Sequence, residues 1–133
     1  MYEFVWQDSE EVTTASGTRT GGFERSTRLM LKYAGHELCL ESRDRPALLL
    51  GRDAGCDVVI LDSKASRRHA RIETRLEKFV LVDQSVNGTF VKIAEEEEIA
   101  LRREELILYA HGRITLGHRG DGQDAWLLEF DCR

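Results

Sequence analysis

From residue 28 to residue 131 the chain repeats one unit: a short run of alternating or branched apolar residues, then a break. The runs read RLMLKYA, LCLES, ALLLGR, DVVIL, HARIETR, KFVLVDQ, TFVKI, EIAL, ELILYA, GRITLG and AWLLEFD. They recur about every ten residues, and the breaks are rich in Gly, Asp, Asn and Ser. A period of two buries one face of a strand, whereas a helix needs a longer run with a period near 3.6. This spacing therefore predicts an all-β sandwich or barrel. One segment, IAEEEEIALRREELIL at 93–108, has the glutamates and leucines of a helix. We read it as a hairpin, because Ile99 and Leu101 alternate and strand runs flank it. Gly35 sits where a first hairpin must turn, and Pro46, the only proline, precedes a strand, where its missing N–H does little harm.

A chain of 133 residues holds one ordinary domain. Residues 1–6, MYEFVW, read as a short strand. Residues 7–26 are polar and rich in Gly, Ser and Thr, so 1–26 reads as a strand remnant with a linker or tail, and the domain as 27–133. Net charge is −5, with a pI near 5.4, which argues against a general nucleic-acid binder. The charge is uneven, however. DSKASRRHAR at 62–71 carries Lys64, Arg67, Arg68 and Arg71 against Asp62, while 95–98 is four glutamates. A basic patch on an acidic chain points to a small anionic ligand more than to a long polyanion.

Cys39, Cys56 and Cys132 are widely spaced, with no CxxC pair. Free thiols in a reducing cytoplasm are the expectation, with no zinc site. No apolar run approaches the roughly 20 residues of a membrane span, and the N-terminus lacks a signal-peptide core. His36, His111 and His118 share no metal-ligand spacing and read as surface residues, and Tyr109 and Trp126 read as packing residues in late strands. Neither metal nor cofactor is expected.

Three breaks differ from the others: GRDAGCD at 51–57, DSKASRRH at 62–69 and DQSVNGT at 83–89. In a sandwich, loops cluster at the two ends and carry function. Arg52, Arg67 and Arg68 can donate charge-assisted hydrogen bonds, Ser66 adds a hydroxyl, and Asn87 offers both a donor and an acceptor. This is equipment for holding a phosphate beside a peptide main chain. Side-chain alternation favours Arg67 over Arg68 as the residue facing the ligand. Ser66 with His69 also raises nucleophilic catalysis, but no positioned carboxylate or oxyanion hole accompanies them, and no enzyme is expected.

GRD, then SRRHA, then NGTFV, in this order and each between strands, resembles the forkhead-associated (FHA) domain over roughly residues 28–131. The resemblance implies an eleven-stranded sandwich of two antiparallel sheets that binds phosphothreonine peptides with loops at one apex. It implies that Arg52 contacts the phosphate or nearby peptide backbone, Ser66 donates its hydroxyl to the phosphate, Arg67 adds charge, and Asn87 bonds the peptide main chain. Gly51, His69 and Gly88 are then structural: close packing, a tie between the second and third loops, and a tight turn. Two positions depart from the family. Val86 stands where Thr or Ser is common, and KIAEEEEIAL replaces a turn often found after TFV, placing glutamates beside the expected binding edge. Residues 78–91, 98–108 and 112–118 further resemble FHA domains that follow bacterial class III adenylate or guanylate cyclase domains, and YEFVW resembles the end of such a domain.

The expected partner is thus a phosphothreonine protein or peptide marked by a Ser/Thr kinase, with no nucleic acid and no membrane. Two other readings stay open. Val86 motivates a phosphate-independent interaction or dimerisation domain. The threonines at 13, 14, 18 and 20 suggest a phosphorylated tail docking into its own domain or another copy in a homodimer.

Overall fold

The computed structural model describes residues 28–41, 47–120 and 124–133. The strand and linker expected over 1–26 lie outside the described residues. Eleven strands follow in chain order: β1 Arg28–Tyr33, β2 His36–Glu41, β3 Ala47–Gly51, β4 Val58–Val59, β5 Ala70–Arg75 and β6 Lys78–Asp83, then β7 Thr89–Ile93, β8 Ile99–Leu101, β9 Glu105–Leu108, β10 His111–Leu116 and β11 Leu128–Cys132. They form a sandwich of two sheets, one of six strands ordered β2-β1-β11-β10-β7-β8 and one of five ordered β4-β3-β5-β6-β9. Pairing is antiparallel except for the short β3–β4 contact, which is parallel. The described residues contain no helix.

Alternation explains the core. Leu29 and Leu31 of β1, Leu48 and Leu50 of β3, and Ile72 of β5 point inward and are at most 2% exposed. Phe79 and Leu81 of β6 meet Val91 and Ile93 of β7 and Ile114 of β10 between the sheets. Strand β6 is buried on both faces, because Arg71, Glu73 and Arg75 of β5 and Glu105 of β9 form a charged lattice flanking Val80 and Val82. Long basic stems can cover apolar surface in this way while their charged heads stay wet. The β1–β2 hairpin turns at Ala34 and Gly35, both with positive φ (47° and 80°), the backbone of a two-residue turn that matches strand twist. Tyr109 and Trp126 pack against the core from just outside strand ends rather than from within strands.

Segment 93–108 is extended, but it does not fold onto itself. Strand β8 pairs back with β7, and β9 pairs with β6 in the other sheet. The residues between them, 102–104, cross from sheet to sheet, with Arg103 at a φ of 60°. The NG turn behaves likewise: β6 and β7 belong to different sheets, so Asn87–Gly88 lies in a crossover and not at a hairpin tip.

Candidate functional site

Register sets what gathers at one end. Leu50 of β3 pairs with Ala70 of β5, and Ala70 with Asp83 of β6. Thr89 of β7 pairs with both Leu116 of β10 and Leu101 of β8. Loops 52–57, 60–69, 84–88 and 102–104, and the start of the loop after β10, therefore meet at one apex. Residues 94–98 leave β7 at its other end, where Ala94 bonds the carbonyl of His111 (2.8 Å). Of the glutamates expected beside the binding edge, Glu95–Glu97 thus sit beyond the opposite end of β7 from Thr89, while Glu98 lies on the return toward β8 and reaches Arg119 and Gly120 in the loop after β10. These glutamates also have local work: Glu96 accepts from the Tyr109 hydroxyl, and Glu98 pairs with Arg119 at 3.2 Å.

The first and second loops are joined through the end of β3. Arg52 and Asp53 donate their N–H groups to the carbonyls of Ser66 (3.0 Å) and Arg67 (3.1 Å), and His69 donates to Leu50 (2.8 Å). The backbones run so close that a Cβ on Gly51 would lie 2.1 Å from the Arg67 carbonyl oxygen. Glycine is required there for space, not for its φ. The Arg52 side chain folds toward the second loop, its Nε donating to Ala65 (3.0 Å), and Cys56 Sγ bonds the Arg67 carbonyl (3.2 Å). None of the three cysteines forms a disulfide.

His69 joins the second loop to the third. It is fully buried. Its Nδ1 accepts the Ser66 N–H (2.9 Å), and its Nε2 lies 2.8 Å from the Gly88 carbonyl. Both contacts are satisfied at once only by the neutral ring with its hydrogen on Nε2. Burial lowers the pKa of His69, and the opposing pull of the Gly88 carbonyl and nearby carboxylates does not restore it. Asp83 lies 3.9 Å away. With the ring neutral, the two are neighbours in a network, not an ion pair. A protonated, ion-paired His69 would also put a hydrogen on Nδ1 against the Ser66 donor.

That network rests on Asp83, which is buried. Its Oδ1 accepts from the hydroxyls of Ser85 and Thr89, both at 2.6 Å, and its Oδ2 accepts from the Arg103 N–H at 2.8 Å. Burial pushes the Asp83 carboxyl up, but the Arg103 N–H and the two hydroxyls outweigh it and hold its pKa below the usual value. Ser85 passes the chain on by accepting the Gly88 N–H (2.8 Å). Gly88, with a φ of 94°, takes the left-handed conformation this turn demands. Its carbonyl also accepts from Gly117 (2.9 Å), which ties the β10 end to the same point. Sequence reasoning passed over Asp83, Ser85 and Thr89 as site support. The DxSxxxT spacing within 83–89 was the available signal.

The outward side of this frame carries the candidate ligand groups. Ser66 Oγ accepts the Val86 N–H (3.2 Å), an arrangement that aims its own hydroxyl hydrogen elsewhere. Asn87 is exposed and anchored through Nδ2 to the Lys64 carbonyl (3.0 Å). Arg52, Arg67 and Arg68 are all exposed, so exposure alone does not separate Arg67 from Arg68. The Val86 side chain is 80% exposed and brings no hydroxyl. Arg102 and Arg103, which the sequence reading did not single out, also reach this end: Arg102 Nη1 lies 3.5 Å from the Asn87 carbonyl, and Arg103 Nε 3.2 Å from that of Ser85.

Among the described residues, none of Arg52, Arg67, Arg68, Arg102 and Arg103 has a carboxylate partner for its guanidinium. Arg71, Arg75, Arg119 and Arg133 elsewhere each have one. His118, expected as a surface residue, is half-buried and engaged. Its Nε2 lies 2.7 Å from Asp62 Oδ2 and its Nδ1 3.0 Å from the Arg119 carbonyl. This contact bridges 56 residues, and no local pattern announces it. Burial opposes the charged form of His118, but the Arg119 carbonyl and the Asp62 and Asp124 carboxylates raise its pKa above the ordinary value.

The search of curated proteins found no match. Solved structures share the fold. The Mycobacterium tuberculosis Rv1747 FHA-1 domain aligns at a TM-score of 0.61 with 21% identity, covering 80% of this chain and 97% of that one. The FHA domain of CT664 from Chlamydia trachomatis aligns at 0.57 with 27% identity, covering 78% and 96%. An FHA domain studied for phosphothreonine-dependent interactions aligns at 0.50 with 25% identity, covering 80% and 96%. The family profile of the FHA domain matches residues 48–117, more than half of the chain and all three apical loops. With that match laid over the two-sheet sandwich, the chain belongs to the forkhead-associated (FHA) family of binding modules.

Proposed function

We propose that this domain binds phosphothreonine peptides at the apex formed by loops 52–57, 62–69 and 84–88. The observation that carries the reading is a frame of buried, satisfied polar groups presenting an open hydroxyl, an anchored amide and arginines without carboxylate partners. A dianionic phosphate supplies the missing charge. In this reading Ser66 donates its hydroxyl to the phosphate. Arg67 adds charge-assisted bonds, and Arg52 bonds the phosphate or the peptide backbone beside it. Asn87 holds the peptide main chain. Gly51, His69 and Gly88 keep the three loops in register. The likeness to an FHA domain with phosphothreonine-dependent interactions, at 25% identity, supports it. The mark would be written by a Ser/Thr kinase, and we place the domain in the cytoplasm.

The wider setting we infer is regulatory, within a larger protein of the class III adenylate or guanylate cyclase type. The sequence likeness at 78–91, 98–108 and 112–118 supports it. A second reading, phosphate-independent interaction, draws on the exposed apolar Val86 in place of a hydroxyl residue. The missing hydrogen bond would weaken phosphate binding by about 1.5–3 kcal/mol.

Calorimetric titration with matched phosphothreonine, phosphoserine and unmodified peptide libraries separates the two. Binding confined to the phosphothreonine library, and reduced at least about ten-fold in Ser66→Ala and Arg67→Ala, fits the first reading. Equal binding of the unmodified library overturns it in favour of the second.

A further inference from the structure

We propose that Arg102 and Arg103 form a second anion subsite across the third loop from Ser66, so that this domain prefers phosphothreonine peptides with a further negative group in the flank. The inference rests on the reading of the apex given above and names the class of peptide it takes.

Residues 102–104 enter the apex only because β8 and β9 belong to different sheets. The crossover pins its backbone to the third loop's frame: Arg103 N–H bonds Asp83 Oδ2 at 2.8 Å, and Asp83 N–H bonds the Glu104 carbonyl at 3.0 Å. Both guanidinium groups are then placed by neutral partners. Arg103 Nε donates to the Ser85 carbonyl, and Arg102 Nη1 approaches the Asn87 carbonyl. The Arg102 guanidinium also lies 6.0 Å from the Phe90 ring centroid.

The nearby carboxylates are committed otherwise. Glu104 Oε1 accepts the backbone N–H of Arg102 (3.1 Å), and Glu98 pairs with Arg119, whose guanidinium lies 5.7 Å from the same Phe90 ring. Arg102 and Arg103 are exposed and held in position, and among the described residues neither guanidinium has a carboxylate partner, although the Glu104 carboxylate lies beside them on the Arg102 N–H. The third loop stands between the two basic groups: Val86 N–H and the Asn87 amide are tied to Ser66 and Lys64 of the second loop, and the Ser85 and Asn87 carbonyls face Arg103 and Arg102. A peptide with its phosphate at Ser66 and its main chain on Asn87 carries one flank over the third loop to these arginines. Planar forks of this kind match a carboxylate or a phosphate.

The test uses the full chain and a phosphothreonine peptide with neutral flanks. Glutamate is moved in turn through about four positions on each side, and a second phosphoserine through the same positions. These spans match the reach of an extended peptide across an apex of this size. The expected result is at least one position where an acidic group raises affinity by about ten-fold, as one charge-assisted hydrogen bond would. The glutamate and phosphoserine arms show which anion the subsite prefers. In Arg102→Gln/Arg103→Gln the ratio between acidic and neutral peptides should fall to within about two-fold. In Arg102→Glu the preference should shift to a lysine at that position. If neutral phosphothreonine peptide binds but no acidic position improves on it, the subsite is wrong and the phosphothreonine reading stands. A preference that persists in both variants also overturns the subsite. Failure of every phosphopeptide to bind overturns both.

Discussion

At the scale of single residues, Gly51 and the histidines carry the sharpest consequences. A methyl group at Gly51 would strike the Arg67 carbonyl, which is held by Asp53 and by Cys56 and cannot yield. Overpacking of this kind costs about 1–3 kcal/mol. Gly51→Ala should lower the urea midpoint accordingly, with an unchanged slope. The histidines should titrate in opposite directions. His69 has its pKa lowered by burial, so its contribution to stability is complete above the unfolded value, about 6.5, and is lost as pH falls through the folded value. His118 has its pKa raised, so its contribution is complete below about 6.5 and is lost as pH rises through the folded value. An NMR titration should give His118 the higher midpoint of the two. The reverse order would break the neutral assignment of His69. The places of Gly51, His69 and Asn87 at one apex were legible because each belongs to a short ordered motif. Asp62 with His118 was not, because that partnership exists only after two loops from distant strands have been brought together.

At the scale of elements, alternation located the strands well, because one buried face imposes a period of two. It did not tell hairpins from crossovers. The NG turn and the 102–104 segment both resemble hairpin connections in sequence, yet each passes between sheets. That difference depends on which strand pairs with which, a property of the whole sheet. It also decides the glutamates. Their turn leaves β7 at the end away from Thr89, and five residues of strand span roughly 17 Å, about twice the screening length at physiological salt. Glu95→Gln/Glu97→Gln should therefore change phosphopeptide affinity by less than about two-fold, since screened charges at that distance interact weakly. A several-fold gain would mean that Glu95 and Glu97 act on the apex despite that distance.

At the scale of the molecule, charge is segregated. A chain of net charge −5 gathers five unpartnered arginines at one end, while Arg71, Arg75 and Arg133 are each paired with a carboxylate along the sheets. Beneath the basic end lies a satisfied polar frame of His69, Asp83, Ser85 and Thr89, which keeps three loops from different strands in one arrangement. The measurement that bears most directly on this account is an amide shift map with a phosphothreonine peptide and its unphosphorylated twin. Saturable shifts should be confined to 51–57, 62–69, 84–88 and 102–104, with none of comparable size from the twin. Equal shifts from both peptides, or shifts on the outer faces of the sheets with a silent apex, would contradict it.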